Sequence, residues 1–376
     1  MTEKFQFRDV FNPALVNQLA DNIARIWDAF ERDAFVDAIL PQLSALSFGD
    51  RNSLIADALH KHLPDDFQRA AQILVNALAP EPASDSLSGF DGFIVMPQCL
   101  FISRYGLDDF DTSINALYEM TKRFTAEGDI RAFIEKYPAK TMAFLHRLTQ
   151  DPSPFARRLA SEGTRPRLPL FSRLPKFQSD PLPVIALLEK LKTDSNLMVR
   201  RSVANNLNDI AKDNPDIVVE TLERWQESDP SPEMTWIISH ALRSLLKEGH
   251  PGALNLMGYN PDAKISVSEI KLNNEMPAIG EEIEFSFTVT SRENKASKIM
   301  VDYLVYFMKA NGKQAPKVFK AAKKTLAAAE TITIRKKHSF QQRSTRKHYS
   351  GVHFLEVQIN GTKYTRADFE LIETKD

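Results

Sequence analysis

A single cysteine, Cys99, stands in 376 residues, so no internal disulfide can form and the chain suits a reducing compartment. A lone cysteine of this kind reads as a small buried hydrophobe rather than a nucleophile. No apolar run approaches the ~20 residues that a membrane-spanning helix requires. The stretch Met1–Arg8 has no continuous apolar core, so no signal peptide is expected. The histidines lack metal-ligand spacing, and no glycine-rich phosphate loop precedes a helical stretch. Together these absences exclude a disulfide scaffold and a membrane protein. They leave a cytoplasmic protein expected to need no metal and no cofactor.

With 43% hydrophobic and 26% charged residues, the composition is that of an ordinary soluble protein, long enough for two domains. The net charge of -1 conceals segregation along the chain. Residues 1–100 sum to -7, residues 101–150 to zero, residues 151–201 to +5, residues 202–262 to -6 and residues 263–376 to +7. Such segregation argues for an anionic partner met by the middle and C-terminal parts. Solvated faces that happen to cluster would give the same sums, and that reading stays open.

Two stretches share one pattern 43 residues apart, the first opening at Asp151 and the second at Asp194. In each, an acidic turn leads into a helix with a pair of arginines six and seven residues on: Arg157 and Arg158, then Arg200 and Arg201. A weaker third copy opens at Asp229 and runs into Trp236 and His240. Spacings of about 35–45 residues are typical of HEAT-like helical-repeat solenoids, whose repeats bury their faces only against neighbours. The paired arginines are expected to form a row of cations on one face. Helical periodicity predicts helices over residues 13–27, 66–78, 113–124, 141–148, 182–191 and 233–247. Prolines 166, 169, 175 and 181 prevent one continuous helix there, leaving a long ordered loop that carries Arg165, Arg167, Arg173 and Lys176.

After Asn260-Pro261-Asp262 the period changes to that of strands, over residues 264–272, 282–290, 298–308, 331–337, 352–360 and 362–371. Asn360-Gly361 is a strong hairpin dipeptide. About seven short strands suggest a small immunoglobulin-like β-sandwich. The expected organisation is therefore mainly α, with a helical-repeat domain over residues 1–260 and a β-domain over residues 263–376. Two basic clusters are read between strands, Lys317–Lys324 and Arg335–Lys347. The second holds Arg335, Lys336, Lys337, Arg343, Arg346 and Lys347, a composition suited to gripping phosphates. A lysine-rich loop that blunts a sheet edge is the plainer alternative.

Three acids stand among the arginines: Glu127 between two helical stretches, Glu162 at the end of the first repeat helix, and Asp209 in the matching helix of the next. Each alone is most often a solvated or salt-bridged side chain. Three in consecutive repeats raise the prospect of chemistry, because ionised carboxylates can stabilise an electron-poor centre or orient a water.

The stretches Ser161–Pro169, Ser-Glu-Gly-Thr-Arg-Pro-Arg-Leu-Pro, and Arg200–Ile210, Arg-Arg-Ser-Val-Ala-Asn-Asn-Leu-Asn-Asp-Ile, resemble the AlkC branch of the AlkC/AlkD DNA alkylation-repair proteins. Further matches run from Phe93–Pro97 through Tyr105–Leu107 and Arg243–Pro251 to Gly258-Tyr259, covering most of the helical region. The resemblance implies HEAT-like repeats on duplex DNA and excision of cationic N3-alkylated bases, 3-methyladenine foremost, by hydrolysis of the N-glycosidic bond. It also implies a base attacked without flipping, and a C-terminal immunoglobulin-like domain in some members. Carried over by motif, Glu127, Glu162 and Asp209 are the expected active-site acids. Arg157, Arg158, Arg165, Arg167, Leu170, Phe171, Arg200, Arg201, Asn205 and Asn206 are expected at the DNA, joined by the Arg335–Lys347 cluster, in a protein acting as a monomer.

Two departures from the family pattern stand out. Leu170-Phe171 follows Leu168-Pro169 where the family typically has Trp, and Glu127-Gly128-Asp129 replaces Glu-Phe-Ala. Phe171 is a candidate to substitute for the missing ring. Other classes remain in play: a DNA-binding or damage-sensing protein without catalysis, and a HEAT-type scaffold whose arginines bind an acidic protein.

Overall fold

A computed structural model describes residues 5–82, 90–343 and 346–373. Residues 1–4, half of the stretch in which no signal peptide is expected from sequence, lie outside the described residues, as do Ser344 and Thr345 within the second basic cluster. The helices begin with α1 (Pro13–Ala24), α2 (Arg32–Leu43), α3 (Phe48–His62), α4 (Phe67–Asn76), α5 (Met96–Tyr105) and α6 (Phe110–Thr121). They continue with α7 (Ile130–Lys136), α8 (Pro138–Leu148), α9 (Pro154–Glu162), α10 (Pro175–Ser179) and α11 (Leu182–Leu188). The last are α12 (Leu197–Ile210), α13 (Pro215–Ser228), α14 (Pro232–Ala241), α15 (Arg243–Glu248) and α16 (Pro251–Leu256). No helix among the described residues is long and apolar enough to cross a membrane.

Local chemistry sets the helix starts. Asn12 accepts from the Leu15 amide at 3.0 Å ahead of Pro13, and Asp66 accepts from Gln68 at 3.0 Å, each side chain satisfying an amide that the helix leaves open. Helices α2, α3 and α5 were not expected from periodicity. α2 carries Pro41 in its last turn, and α3 closes on the polar run His60-Lys61-His62. The periodic stretch over 233–247 is two helices, α14 and α15, and α15 stops at Gly249 with φ 77°, the left-handed cap that glycine takes without strain.

The repeated sequence pattern has a structural cause. Asp151, Asp194 and Asp229 each accept a hydrogen bond from the backbone amide two residues on, at 2.8, 2.8 and 3.0 Å. These aspartate turns start α9, α12 and α14. The helices then stack on one another through fully buried side chains such as Leu159, Val199, Val203, Leu207, Ile237 and Ile238. Burying each contributes about 1.5–3 kcal/mol.

Eight strands follow among the described residues: β1 (Ile265–Val267), β2 (Lys271–Leu272), β3 (Glu282–Ser291), β4 (Ser297–Met308), β5 (Gln314–Leu326), β6 (Thr331–Ser339), β7 (Gly351–Ile359) and β8 (Thr362–Leu371). In one sheet β3 pairs with β1, β2 and β6, and the other runs β5-β4-β7-β8. Phe285, Phe287 and Val289 of β3 meet Ile299, Val301 and Tyr303 of β4 in the sandwich core. Asn360 and Gly361 take positive φ values of 45° and 81°, the geometry of a tight hairpin turn between β7 and β8.

The chain is thus mainly α, a HEAT-like solenoid with an immunoglobulin-like sandwich. It divides into two compact units, Met1–Asn214 with Asp229–Ala241, and Pro215–Ser228 with Leu242–Asp376. Helices α13, α15 and α16 therefore belong with the strands, although the change from helix to strand pattern comes later, at Asn260-Pro261. Two further expectations are corrected. Lys317–Lys324 is not an inter-strand cluster but the body of β5, an edge strand. Arg335, Lys336 and Lys337 are not in a loop either; they lie on β6, opposite Ser286, Phe285 and Glu284 of β3.

Candidate active site

In the helical unit, the C-terminal end of α9 packs against α12 through polar side chains that are nearly all buried. Ser202 donates to Glu162 Oε2 at 2.6 Å and lies 2.9 Å from the Ser161 hydroxyl. Asn206 donates to the Ser161 carbonyl at 2.7 Å and to Thr164 Oγ1 at 3.1 Å. Buried polar groups need such partners, and their mutual satisfaction fixes the register of the two helices. Glu162 and Asp209 are consequently held at 5% and 2% exposure.

Arginines join the three expected acids into one chain of alternating charge. Arg158 Nη1 donates to Glu127 Oε2 at 2.5 Å, and its Nη2 lies 3.8 Å from Glu162 Oε1. Arg165 Nη1 donates to that same Glu162 oxygen at 2.5 Å, while its Nε and Nη2 meet Asp209 Oδ2, each at 2.8 Å. Lys212 reaches Asp209 Oδ1 at 2.8 Å. Burial works against the charge on Arg158 and Arg165. The carboxylates of Glu127 and Glu162 around the first, and of Glu162 and Asp209 around the second, outweigh it and raise both guanidinium pKa values.

The carboxylate oxygens are unequally engaged. Both oxygens of Glu162 and both of Asp209 carry partners. Glu127 is held through Oε2 by Arg158 and Thr125, and its side chain keeps 15% exposure against 7% and 3% for the other two acids. Its Oε1 has no hydrogen bond among the described residues.

The loop after α9 is fixed from below by Arg131 of α7, which sequence reasoning missed as a site residue. Arg131 is 1% exposed and forms no ion pair among the described residues. It donates to the carbonyls of Gly163 at 3.1 Å, Arg165 at 2.8 Å and Ser172 at 2.9 and 2.5 Å. Burial lowers its pKa to about 10. Between these anchors the chain turns at Leu170, whose φ of 69° is left-handed and whose side chain is 82% exposed. A branched apolar residue held in that conformation and in solvent is a strained feature. The Phe171 ring lies on Gly128, next to Glu127, so closely that a Cβ added at Gly128 would collide with it. The two departures from the family pattern therefore meet in space, with Gly128 leaving room for Phe171.

Several expected DNA-facing residues have other duties. Arg157 donates to the carbonyls of Asp151 and Pro152 in its own turn and forms a two-pronged pair with Asp194 of the next repeat. Arg200 donates to the carbonyls of Asp194 and Ser195 in the same way. The first arginine of each pair is a turn clamp, so the expected row of four cations does not form. Arg201 is exposed. Arg167 pairs with Asp213 at 2.6 Å and, against burial and with help from Gln178, lowers that carboxyl's pKa. Asn206 is a buried brace, and Asn205 Oδ1 lies 3.0 Å from His240 Nε2, whose ring stacks on Trp236. Cys99 is fully buried, and burial pushes its thiol pKa well up.

In the second unit Lys337 is paired with Glu282 at 2.8 Å, and Arg346 stacks over Phe307 and Phe319. Lys336 points to the opposite side of β6 from Arg335 and Lys337, because strand side chains alternate. Arg335, Arg343 and Lys347 are exposed. The six residues do not make one cationic surface.

The family described as "Uncharacterised protein YhaZ, C-terminal Ig-like domain" matches residues 266–373. The chain is 35% identical over 365 residues to the protein YhaZ of Bacillus subtilis (strain 168), covering 97% of this chain and 99% of that one. The alkylpurine DNA glycosylase AlkC of Pseudomonas fluorescens, solved bound to DNA containing an abasic site analog, is 36% identical. It superposes with a TM-score of 0.88 over 97% of this chain and 99% of its own.

Proposed function

The chain belongs to the AlkC branch of the AlkC/AlkD family, and from that premise we propose that it is a DNA glycosylase. It hydrolyses the N-glycosidic bond of cationic N3-alkylated bases, 3-methyladenine above all, in duplex DNA, as a monomer in the cytoplasm. The observation that carries this reading is the single charge network joining Glu127, Arg158, Glu162, Arg165 and Asp209. In the reaction the bond from the sugar C1′ to the base breaks, and its electron pair neutralises the positive base. A water oxygen bonds to C1′, and the water's proton leaves to a base. An alkylated, positively charged adenine departs readily, so the protein's task is to stabilise the cationic sugar and direct the water.

The three acids divide that task. Glu162 and Asp209 are fixed at both oxygens and supply a preorganised negative field that requires no rearrangement. Glu127, with Oε1 unengaged, is the group that orients the water and takes its proton. Arg131 is a positioning residue for the loop, which carries Phe171 beside Glu127 and Leu170 outward to the DNA. Arg158, Arg165 and Arg167 hold the acids and the loop, leaving Arg201 and Arg173 for phosphates.

The exposed, strained Leu170 favours a second reading, a damage sensor that binds without cleaving. Incubating the full chain with methylated duplex and measuring released bases separates the two. Release of 3-methyladenine, leaving abasic sites that alkali cleaves, is the result expected. Binding without release would establish the sensor in its place.

A further inference from the structure

A fourth acid lies against the active site without belonging to its chain of ion pairs. Asp129 closes the turn that carries Glu127: its amide donates to the Ala126 carbonyl at 3.1 Å, and Gly128 stands between the two acids. The Phe171 ring covers that glycine. From α5, Ser103 Oγ donates to Asp129 Oδ1 at 2.8 Å. The family pattern places Ala at this position, so the carboxyl group is an addition of this chain.

The surroundings of Asp129 differ in kind from those of the other acids. Glu127, Glu162 and Asp209 each form an ion pair with arginine. Asp129 forms none among the described residues, and Ser103 offers it a neutral hydroxyl. Arg104, the cation that acts on it from α5, is engaged by Asp57. Cys99 of the same helix stays a neutral thiol, its pKa pushed up by burial and then by Asp129. Asp129 as a residue is half-buried, yet protein crowds its carboxyl, and burial raises the pKa to about 7. Ser103 and Arg104 oppose that rise, and the charge on Glu127 adds to it. Asp129 and Glu127 therefore act on each other, and Asp129 gains its negative charge as pH rises through about 7.

That charge has a use in the reaction. Glu127 has to take a proton from the attacking water while Arg158 holds its other oxygen. A second negative charge beside a base favours proton uptake there, and it also favours a cationic sugar nearby. Bracing the turn against α5 is the plainer purpose for Asp129. A brace needs only an oxygen that accepts from Ser103, which asparagine supplies equally well.

We propose that Asp129 is a positioning residue for base release, acting through Glu127: ionised, it promotes transfer of the water's proton to Glu127 Oε1. This rests on the glycosylase reading above. The test compares the full chain with Asp129→Asn in single-turnover release of base from methylated duplex, across pH 6 to 8.5, with duplex affinity measured alongside as a check on folding. Wild-type release should rise with pH and level off, with a midpoint of about 7. Asp129→Asn should lose that rise and fall about 10–30-fold behind at the alkaline end, the effect of one unit charge across roughly 8–12 Å at an effective dielectric of about 20. Carbon-13 NMR titration of the Asp129 carboxyl checks the coupling apart from activity. Its midpoint should fall in Glu127→Gln, where a charge that raises it is gone, and an unmoved midpoint overturns the proposal. A wild type that releases base while Asp129→Asn keeps the same pH profile shows a brace and overturns the proposal alone. A wild type that releases no base defeats the glycosylase reading, and the role of Asp129 in release falls with it.

Discussion

The arginines of the helical unit and the lysines of the second unit use positive charge in opposite ways. In the helical unit Arg131, Arg157, Arg158, Arg165 and Arg200 turn inward to carbonyls and carboxylates. In the second, Lys247, Lys298, Lys320 and Lys323 remain exposed and without ion pairs among the described residues. The planar, multidentate guanidinium suits internal bracing, whereas an ammonium on a flexible stem suits solvent and a mobile polyanion. Charge summed along a chain therefore does not say where a field projects. The segment 151–201, at +5, is largely neutralised by internal pairing, while the excess of the C-terminal segment faces outward.

If the inward arginines exist to hold acids and a loop, the largest effect of breaking the arrangement should come at Glu127. Glu127→Gln should slow base release by about 10²–10⁴-fold, the usual worth of a general base, with duplex affinity nearly unchanged. A drop below tenfold in single-turnover release would remove Glu127 from that role.

Next in size is the loop clamp. Arg131→Ala leaves the carbonyls of Gly163, Arg165 and Ser172 without this donor. Two of these, on Gly163 and Arg165, are buried, so at about 1–3 kcal/mol for each unsatisfied buried group stability should fall by at least ~2 kcal/mol. Urea unfolding monitored by circular dichroism measures this, and an unchanged midpoint would show that the loop is held by other means.

A third prediction separates the units by pH. Burial pushes His338 down from 6.5 to about 4, helped by Arg346, His348 and His353. Between those values the folded state binds fewer protons than the unfolded chain. Its contribution is therefore complete above pH 6.5 and is lost as pH falls through 4, with a span of about 3 kcal/mol. His348 and His353 shift in the same direction through burial. Asp302, raised to about 6 by burial, has the opposite sign, losing stability as pH rises. His338→Phe should accordingly reduce the loss of urea stability between pH 7 and pH 4.5, and an unchanged difference would contradict the assignment.

The smallest effect is expected at Leu170. Leu170→Gly relieves a left-handed φ and should raise thermal stability by about 1 kcal/mol, while duplex affinity falls because the exposed side chain is gone. Stability and affinity that both rise would show that Leu170 does not touch DNA.

Legibility in the sequence followed how local each signal was. The three turn aspartates repeat because each makes the same hydrogen bond two residues ahead, and Asn360-Gly361 forms its hairpin for equally local reasons. The acids Glu127, Glu162 and Asp209 stand out by motif, and the structure links them. The fate of the arginines was not legible, because whether Arg157 faces DNA or Asp194 depends on a residue one repeat away. Arg131 escaped notice because its partners are carbonyls, which every residue has. The nearness of Lys247 and Lys320, which both act on Asp302, was hidden for a similar reason: they lie 73 positions apart in the sequence.

The central claim is that Glu162 and Asp209, held between arginines, supply the field that drives cleavage. Single-turnover release of 3-methyladenine by Glu162→Gln and by Asp209→Asn, with duplex affinity measured alongside, tests it most directly. Each variant is expected to release base at least ~10²-fold more slowly, with affinity nearly intact. Release at the wild-type rate in both variants would contradict that claim.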